Sequence, residues 1–286
     1  MLDQAQILRQ MANGKQENLR QDTKIITVAS GKGGVGKSNI VVNVAIALQK
    51  MGKKVLIFDA DVGMGNDDVL MGFLPKYNVF DIIFNNMEID DVVITGPYGV
   101  KLLPGGSGIN RVYEITEYQR NKFLEKLTSL KDLDYIFMDT GAGISKRVLE
   151  YVSCSDDLIV ITTPEPTALM DAYSLLKSVV NFKIKDNAKV IINRTVEMKE
   201  GKDTFDKFRH AVQNFLKIDI EYLGNISEDK KLMQAVRLQQ PVIISNPTCD
   251  CAKDIQVIAN KIIGNSTVNN NLGVQGLFKK LMNIFS

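Results

Sequence analysis

The chain has no tryptophan, one histidine (His210) and three cysteines. A single histidine leaves little room for histidine acid–base chemistry, and a metal centre needs about four ligands. Cys154, Cys249 and Cys251 are too few for a disulfide framework and suit a reduced, cytoplasmic compartment. Cys249-Asp250-Cys251 is a C-x-C rather than a C-x-x-C pair, and with one distant histidine it does not complete a metal site within one chain. No apolar run approaches the roughly 20 residues of a membrane span, and residues 1–22, polar and mixed in charge, are no secretory signal. Net charge is scarce too. Lys and Arg number 35 against 33 Asp and Glu, a formal +2 that argues against a general nucleic-acid binder. What is present, 45% hydrophobic and 24% charged residues in 286, is the composition of an ordinary globular protein of one large or two small domains.

From Lys24 onward, strand-like and helix-like segments alternate. Apolar, β-branched runs occur at Ile25–Ala29, Lys54–Asp61, Val100–Pro104, Tyr135–Thr140, Leu158–Thr163, Val190–Asn193 and around Ile220–Ile226, each bounded by glycine, proline or charge. Helical stretches at Glu117–Leu130, Thr167–Phe182 and Asp203–Leu216 fall between several of them. Continuous apolar strands are buried on both faces, which predicts a doubly wound α/β fold with a mostly parallel sheet under helices. Ligands of such folds bind at the C-terminal ends of the strands.

The stretch Gly31-Lys32-Gly33-Gly34-Val35-Gly36-Lys37-Ser38 sits at such an end and fits G-x-x-x-x-G-K-[ST], with a second lysine directly after the first glycine. It follows the apolar run Ile25–Ala29 and opens into a helical segment, Asn39–Met51, closed by Gly52. The glycines let successive N–H groups turn onto a phosphate at a helix N-terminus, where the dipole favours negative charge. Lys37 is placed to reach the β- and γ-phosphates and the Ser38 hydroxyl to hold Mg²⁺ directly. The chain is therefore predicted to be a P-loop nucleotide-binding protein.

Asp59 and Asp61 end the second strand and lead into Val62-Gly63-Met64-Gly65-Asn66; Asp139 ends another and leads into Thr140-Gly141-Ala142-Gly143. Carboxylates so placed hold the waters of a Mg²⁺ ion or orient a hydrolytic water. Elsewhere each would be a turn or helix cap; beside a P-loop and flanked by glycines, the functional role is the expectation.

These segments together resemble the MinD/ParA ATPases. Lys32–Ser38 is similar to their deviant Walker A motif, Asp59–Asn66 to their first switch and Asp139–Gly143 to their second. Ile226-Ser227-Glu228-Asp229, followed by Ala235 and Gln240-Pro241-Val242-Ile243, resembles their late nucleotide-base loop and following helix. The resemblance spans residues 24–263 in family order. It implies a Mg²⁺-dependent ATPase that forms a face-to-face homodimer with ATP, with Lys32 crossing to the partner's phosphates. Asp61 would position the attacking water, and both Asp61 and Asp139 would support Mg²⁺ through water. The nucleotide is expected to touch Gly31 through Asn39, Asn193, Arg194, Ser227, Glu228 and Asp229. Asn193 has the donor and acceptor an adenine edge needs, though a strand-end cap is an equal alternative. Ser227 departs from the family, which has proline there.

The two ends select a branch. Asp3-Gln4-Ala5-Gln6-Ile7-Leu8-Arg9 resembles the leader of the flagellar number regulators, the FlhG (YlxH/FleN) type, as does Thr163-Pro164-Glu165-Pro166-Thr167 through Asp171-Ala172-Tyr173. That implies a leader, 1–22, which stimulates a signal-recognition-particle-type flagellar GTPase (FlhF type) through Gln4, Leu8 and Arg9; a plain N-terminal helix is the alternative. An ATPase domain, 23–264, and an asparagine-rich linker, 265–275, come next. In the last segment, 276–286, Leu277, Phe278, Leu281, Ile284 and Phe285 share one helical face, opposite Lys279, Lys280 and Asn283. Such a helix anchors to an anionic membrane surface or packs on its own domain. One copy binds weakly and two in a dimer gain by effective concentration, so ATP would control attachment. The expected protein is cytoplasmic, peripheral at the inner face of the cell membrane with ATP, and sets flagellum number and placement. A MinD-type cell-division regulator and a ParA-type DNA-partitioning ATPase are the alternatives.

Overall fold

The computed structural model describes residues 23–61, 65–106, 116–126, 130 and 132–264. The leader residues Gln4, Leu8 and Arg9, the switch residues Val62-Gly63-Met64, and the terminal face of Leu277, Phe278, Leu281, Ile284 and Phe285 lie outside them.

The strands are β1 (Lys24–Ala29), β2 (Val55–Ala60), β3 (Ile94–Thr95), β4 (Lys101–Leu103), β5 (Tyr135–Thr140), β6 (Asp157–Thr162), β7 (Asn187–Thr195) and β8 (Asp219–Ser227). The α-helices are α1 (Lys37–Lys50), the short α2 (Asp67–Leu70), α3 (Val79–Phe84) and α4 (Ile89–Val92), then α5 (Glu117–Lys126), α6 (Lys146–Cys154), α7 (Pro166–Asn181), α8 (Met198–Leu216), α9 (Lys230–Arg237), α10 (Val242–Ser245) and α11 (Asp250–Gly264). The sheet runs β3-β4-β2-β5-β1-β6-β7-β8, parallel except for the edge pair β3–β4. The expected doubly wound, mostly parallel sheet is present.

Residues alternate between the two sides with the period of two that a strand imposes. Ile26, Val28, Ile57, Tyr135, Phe137, Ile159, Ile161 and Ile191 face a core shared with α1 and α11. Their neighbours Ile25, Leu56, Phe58, Ile136 and Met138 face α3–α6, while Leu158, Val160, Val190 and Ile192 face α6–α8. Burial on both faces explains why the strands read as unbroken apolar runs. Helix α1 is buried from Ile40 to Leu48 because α11 covers its outer side.

The order also positions the site. From β1 the chain moves one way to β2 and later the other way to β6, so the loop after β1 lies at the reversal point of the sheet. Helix α8 begins at Met198, earlier than the expected Asp203, and runs through Gly201. A Cβ there would press on the Asn225 side chain and the Tyr222 hydroxyl, so that glycine serves helix–strand packing rather than breaking the helix.

Phe137, 1% exposed at the sheet centre, offers the sharpest test of this packing. Phe137→Ala should cost about 3–5 kcal/mol in a urea titration of the nucleotide-free chain; a loss below about 1 kcal/mol would contradict the buried placement.

Candidate nucleotide site

The loop between β1 and α1 is shaped by close approach. Gly36 precedes α1 at φ 92°, a left-handed conformation, and a Cβ on it would strike the Asn193 amide. Gly31 lies against the Asp171–Ala172 backbone of α7, where no side chain fits. Helix α1 starts at Lys37, two residues earlier than the sequence suggested, so Lys37 and Ser38 occupy its first turn. No side chain caps that end and no acidic residue lies in its first turn, so its N–H groups and dipole face an incoming anion.

Strand β7 braces the loop from the far side. Asn193 Nδ2 donates to Val35 O at 2.7 Å and Arg194 Nη2 to Gly34 O at 2.7 Å. The β7–β8 register slips between Asn193 and Thr195, and Arg194 takes φ 58°. This bulge turns both side chains to the loop instead of leaving one on each face of the sheet. One Asn193 amide hydrogen is thereby engaged by the loop, while the residue also borders the cavity next to it.

That cavity, about 430 Å³, is the size of a ligand pocket. Gly36, Asn39, Asn193, Arg194, Ser227, Glu228 and Asp229 border it, with Ile40, Leu232, Met233, Val236 and Ile255 as its apolar wall. Polar loop on one side and aliphatic wall on the other suit a flat heteroaromatic ring. Ser227, the residue that departs from proline, donates to Asp254 Oδ2 from both its backbone N (2.9 Å) and its Oγ (2.7 Å). Proline could make neither bond, so this segment is tied to α11 by a different device. Glu228 N donates to Thr195 O at 2.9 Å, and Asp229 caps α9 by accepting from Lys231 N at 2.8 Å.

Carboxylates crowd the other side. Asp59 of β2 and Asp139 of β5 are direct register partners, one strand apart. Lys37 Nζ meets Asp139 Oδ1 at 2.5 Å with both side chains buried. Burial, then Asp139, then Asp61 and Asp68 push the Asp59 carboxyl up to about 7, against the opposing Asp61 N–H. Asp61 is raised as well, by burial and by Asp139, with Lys37 pulling the other way. Asp67, absent from the sequence reading, is fully buried, and among the described residues its two carboxyl oxygens have no hydrogen-bond donor. Burial, Asp139 and Asp59 raise it well above the carboxylate range. An all-oxygen, over-anionic set with undonated oxygens fits a hard divalent cation. Ser38 is half-buried in the first turn of α1, next to Lys37.

Lys32 points elsewhere. It is exposed, and its Nζ lies 3.3 Å from Glu165 Oε2 and 3.2 Å from Thr167 Oγ1, at the start of α7. His210 is exposed on α8, apart from this cluster. Asn43, which belongs to no motif, accepts from Ile243 N at 3.0 Å and joins α1 to α10. Its position within an apolar helical run, between Val42 and Val44, was the available signal.

Comparison with known proteins agrees with this geometry. Residues 26–242 match the CobQ/CobB/MinD/ParA nucleotide binding domain. The chain is 32% identical over 249 residues to the antiactivator FleN of Pseudomonas aeruginosa, covering 87% of this chain and 89% of that protein. It is 33% identical over 267 residues to the flagellum site-determining protein YlxH of Helicobacter pylori, covering 91% and 90%. Among solved structures, the septum site-determining protein MinD of Pyrococcus horikoshii, complexed with Mg-ADP, superposes with TM-score 0.67 at 25% identity over 84% of this chain and 96% of that one.

The carboxylate crowding has a measurable consequence. Asp59 keeps its proton in the folded chain up to about 7 but loses it near 3.8 when unfolded. Its contribution to stability is therefore full below the unfolded value and is lost as pH rises through the folded one. Asp59→Asn keeps the shape without titrating. In nucleotide-free, Mg²⁺-free buffer it should stabilise the chain by about 1–3 kcal/mol at pH 8 and by much less near pH 5. Denaturant titrations at the two pH values check this; equal effects would contradict it.

Proposed function

The chain belongs to the CobQ/CobB/MinD/ParA nucleotide-binding family, whose MinD and ParA members are P-loop ATPases, and on that basis we propose an ATP-switched, membrane-cycling regulator of flagellum number and placement. The observation that carries the switch is the division of work between two lysines five residues apart on one loop. Lys37 is buried against Asp139, whereas Lys32 is exposed on a surface contact. An exposed charge can leave weak partners for a second molecule's phosphates; a buried one cannot.

ATP is assigned to the loop Gly31–Asn39, with its base in the cavity bordered by Asn193, Arg194, Ser227, Glu228 and Asp229. Ser38 would hold Mg²⁺ directly and Asp61 and Asp139 through water; the ion supplies neutralisation of phosphate charge. Lys37 moves its charge from Asp139 to the phosphates. Asp61, half-buried and raised, accepts a hydrogen bond from the attacking water and orients it. Lys32 exchanges Glu165 and Thr167 for the phosphates of a second copy, giving the ATP-dependent homodimer. Charge-assisted bonds of this kind exist only while the phosphates do, which is what makes dimerisation a switch.

The flagellar assignment is supported by likeness to FleN and YlxH over almost the whole chain, together with the leader and the Thr163–Tyr173 segment. We assign residues 1–22, through Gln4, Leu8 and Arg9, to stimulation of a signal-recognition-particle-type GTPase (FlhF type). Residues 276–286 are assigned to an anionic membrane surface at the inner face of the cell membrane, beyond a linker at 265–275. No helix among the described residues is long and apolar enough to cross a membrane. No direct nucleic-acid contact is part of the proposal.

Lys32→Ala should keep nucleotide affinity within about threefold yet lose ATP-dependent dimerisation and cosedimentation with anionic vesicles, because only the second copy's phosphates lose a partner. Lys37→Ala should instead weaken nucleotide binding itself. Size-exclusion chromatography with ATP and with ADP reads both; a Lys32→Ala chain that dimerises like the wild type sinks the role given to Lys32.

A peptide of residues 1–22 should speed GTP hydrolysis by the flagellar GTPase, and Gln4→Ala in the full chain should lose most of the stimulation while keeping ATP binding. No stimulation by peptide or full chain would leave a MinD-type division regulator as the assignment.

A further inference from the structure

Cys249, Cys251 and Asp229 bring their ligand atoms within 4.8 Å of one another at the junction of α9 and α11. The two Sγ atoms are 3.4 Å apart, close to the ~3.8 Å that a tetrahedral ion with 2.3 Å metal–sulfur bonds imposes. Spacing in the sequence concealed this, since a C-x-C brings only two donors and the third comes from a loop twenty residues earlier. Two helix ends meet there. Asp229 is the N-cap of α9, and Cys249 and Cys251 flank the first residue of α11. Their positive ends favour an anionic donor set. Lys231 N–H donates to the Asp229 carboxylate at 2.8 Å and holds it in place beside the two thiols.

We propose that Cys249, Cys251 and Asp229 bind one thiophilic divalent cation of the zinc class, with solvent in the fourth position. Two sulfurs exclude Mg²⁺, which takes oxygen donors, and the carboxylate disfavours Cu(I). A redox pair fits less well. Such thiols are exposed, whereas both of these are buried. A metal displaces the thiol protons to solvent as it binds. Asp229 borders the nucleotide cavity, which gives the ion a way in.

The same carboxylate belongs to the base loop, already tied to α11 through Ser227 and Asp254. A metal would add a second tie and hold the loop in the shape the base meets. This consequence rests on the cavity being the base site; the metal site itself does not.

Cobalt(II) titration of the full, reduced, metal-stripped chain, without nucleotide or Mg²⁺, tests the site. One equivalent should produce the thiolate charge-transfer and tetrahedral d–d bands, and Zn²⁺ should abolish them. Cys249→Ser should weaken binding by tenfold or more, roughly the loss seen when a metal site's support is removed. In the wild type, Zn²⁺ but not Mg²⁺ should protect both thiols from alkylation, a readout that needs no variant to fold. Absence of the bands, equal cobalt binding by Cys249→Ser, or unprotected thiols overturns the site. Zn²⁺ should also tighten MgADP binding about threefold by preorganising the loop; unchanged affinity with metal bound overturns the coupling alone.

Discussion

The pairing of Lys37 with Asp139 sets the terms for everything around the loop. The sheet places Asp59 and Asp139 side by side, and the chain beyond β2 adds Asp61 and Asp67 to the same space. One buried ammonium faces this group of carboxylates. Fully ionised, the arrangement would repel itself in a medium that screens poorly. The raised carboxyls of Asp59 and Asp67 relieve it in the nucleotide-free chain by holding their protons to higher pH. The proposed ligand, a cation-bearing triphosphate, would relieve it differently. It would bring positive charge to the carboxylates and give Lys37 a new anionic partner. The site is thus poised by its own repulsion, and ligand binding and proton release are coupled by charge alone.

A central helix between sheet and α11 makes that poise possible. Helix α1 cannot tilt or unwind without breaking packing on both its sides. Its N-terminus is therefore a fixed anion-binding end, and Gly36 and Gly31 are fixed by what crowds against them rather than by local flexibility. The exposed Lys32 contact with Glu165 and Thr167 is of the opposite kind. It is solvent-screened and worth little, so it can be exchanged at small cost.

Much of this was legible in the residues, and what was not has a physical cause. Unbroken apolar runs announced a parallel sheet because both faces of each strand are covered, and the loop motif placed the site at the end of β1. Asp139 and Asp59 could be read from their positions after apolar strands. Asp67 could not, because an Asp67-Asp68 pair opening a short helix has the pattern of an ordinary first turn, and only the fold makes the first of them buried. Helix α11 carries Ala252, Ile255, Ile258, Ala259 and Ile262 at helical spacing, and its burial comes from the fold that lays it on α1. The bulge at Arg194 is invisible to periodicity because it is defined by β8, its partner strand. Gly201 lies inside α8 for a related reason, since its need arises from Asn225 and Tyr222 across the helix–strand interface.

The glycine-rich loop and the cavity beside it are built by different parts of the chain, yet they share supports. Asn193 and Arg194 reach from β7 to the loop carbonyls, so the strand that borders the cavity also sets the loop's shape. The Ser227–Asp229 segment hangs on α11 through Ser227 and Asp254, α11 packs on α1, and α10 is bonded to α1 through Asn43. A ligand that pulls on either side therefore moves against the same helix. Since α1 is clamped by the core, the solvent-screened contact of Lys32 with Glu165 and Thr167 yields more readily than the helix end itself. In the proposed dimer, Lys32 is therefore the group that can change partners without disturbing the core.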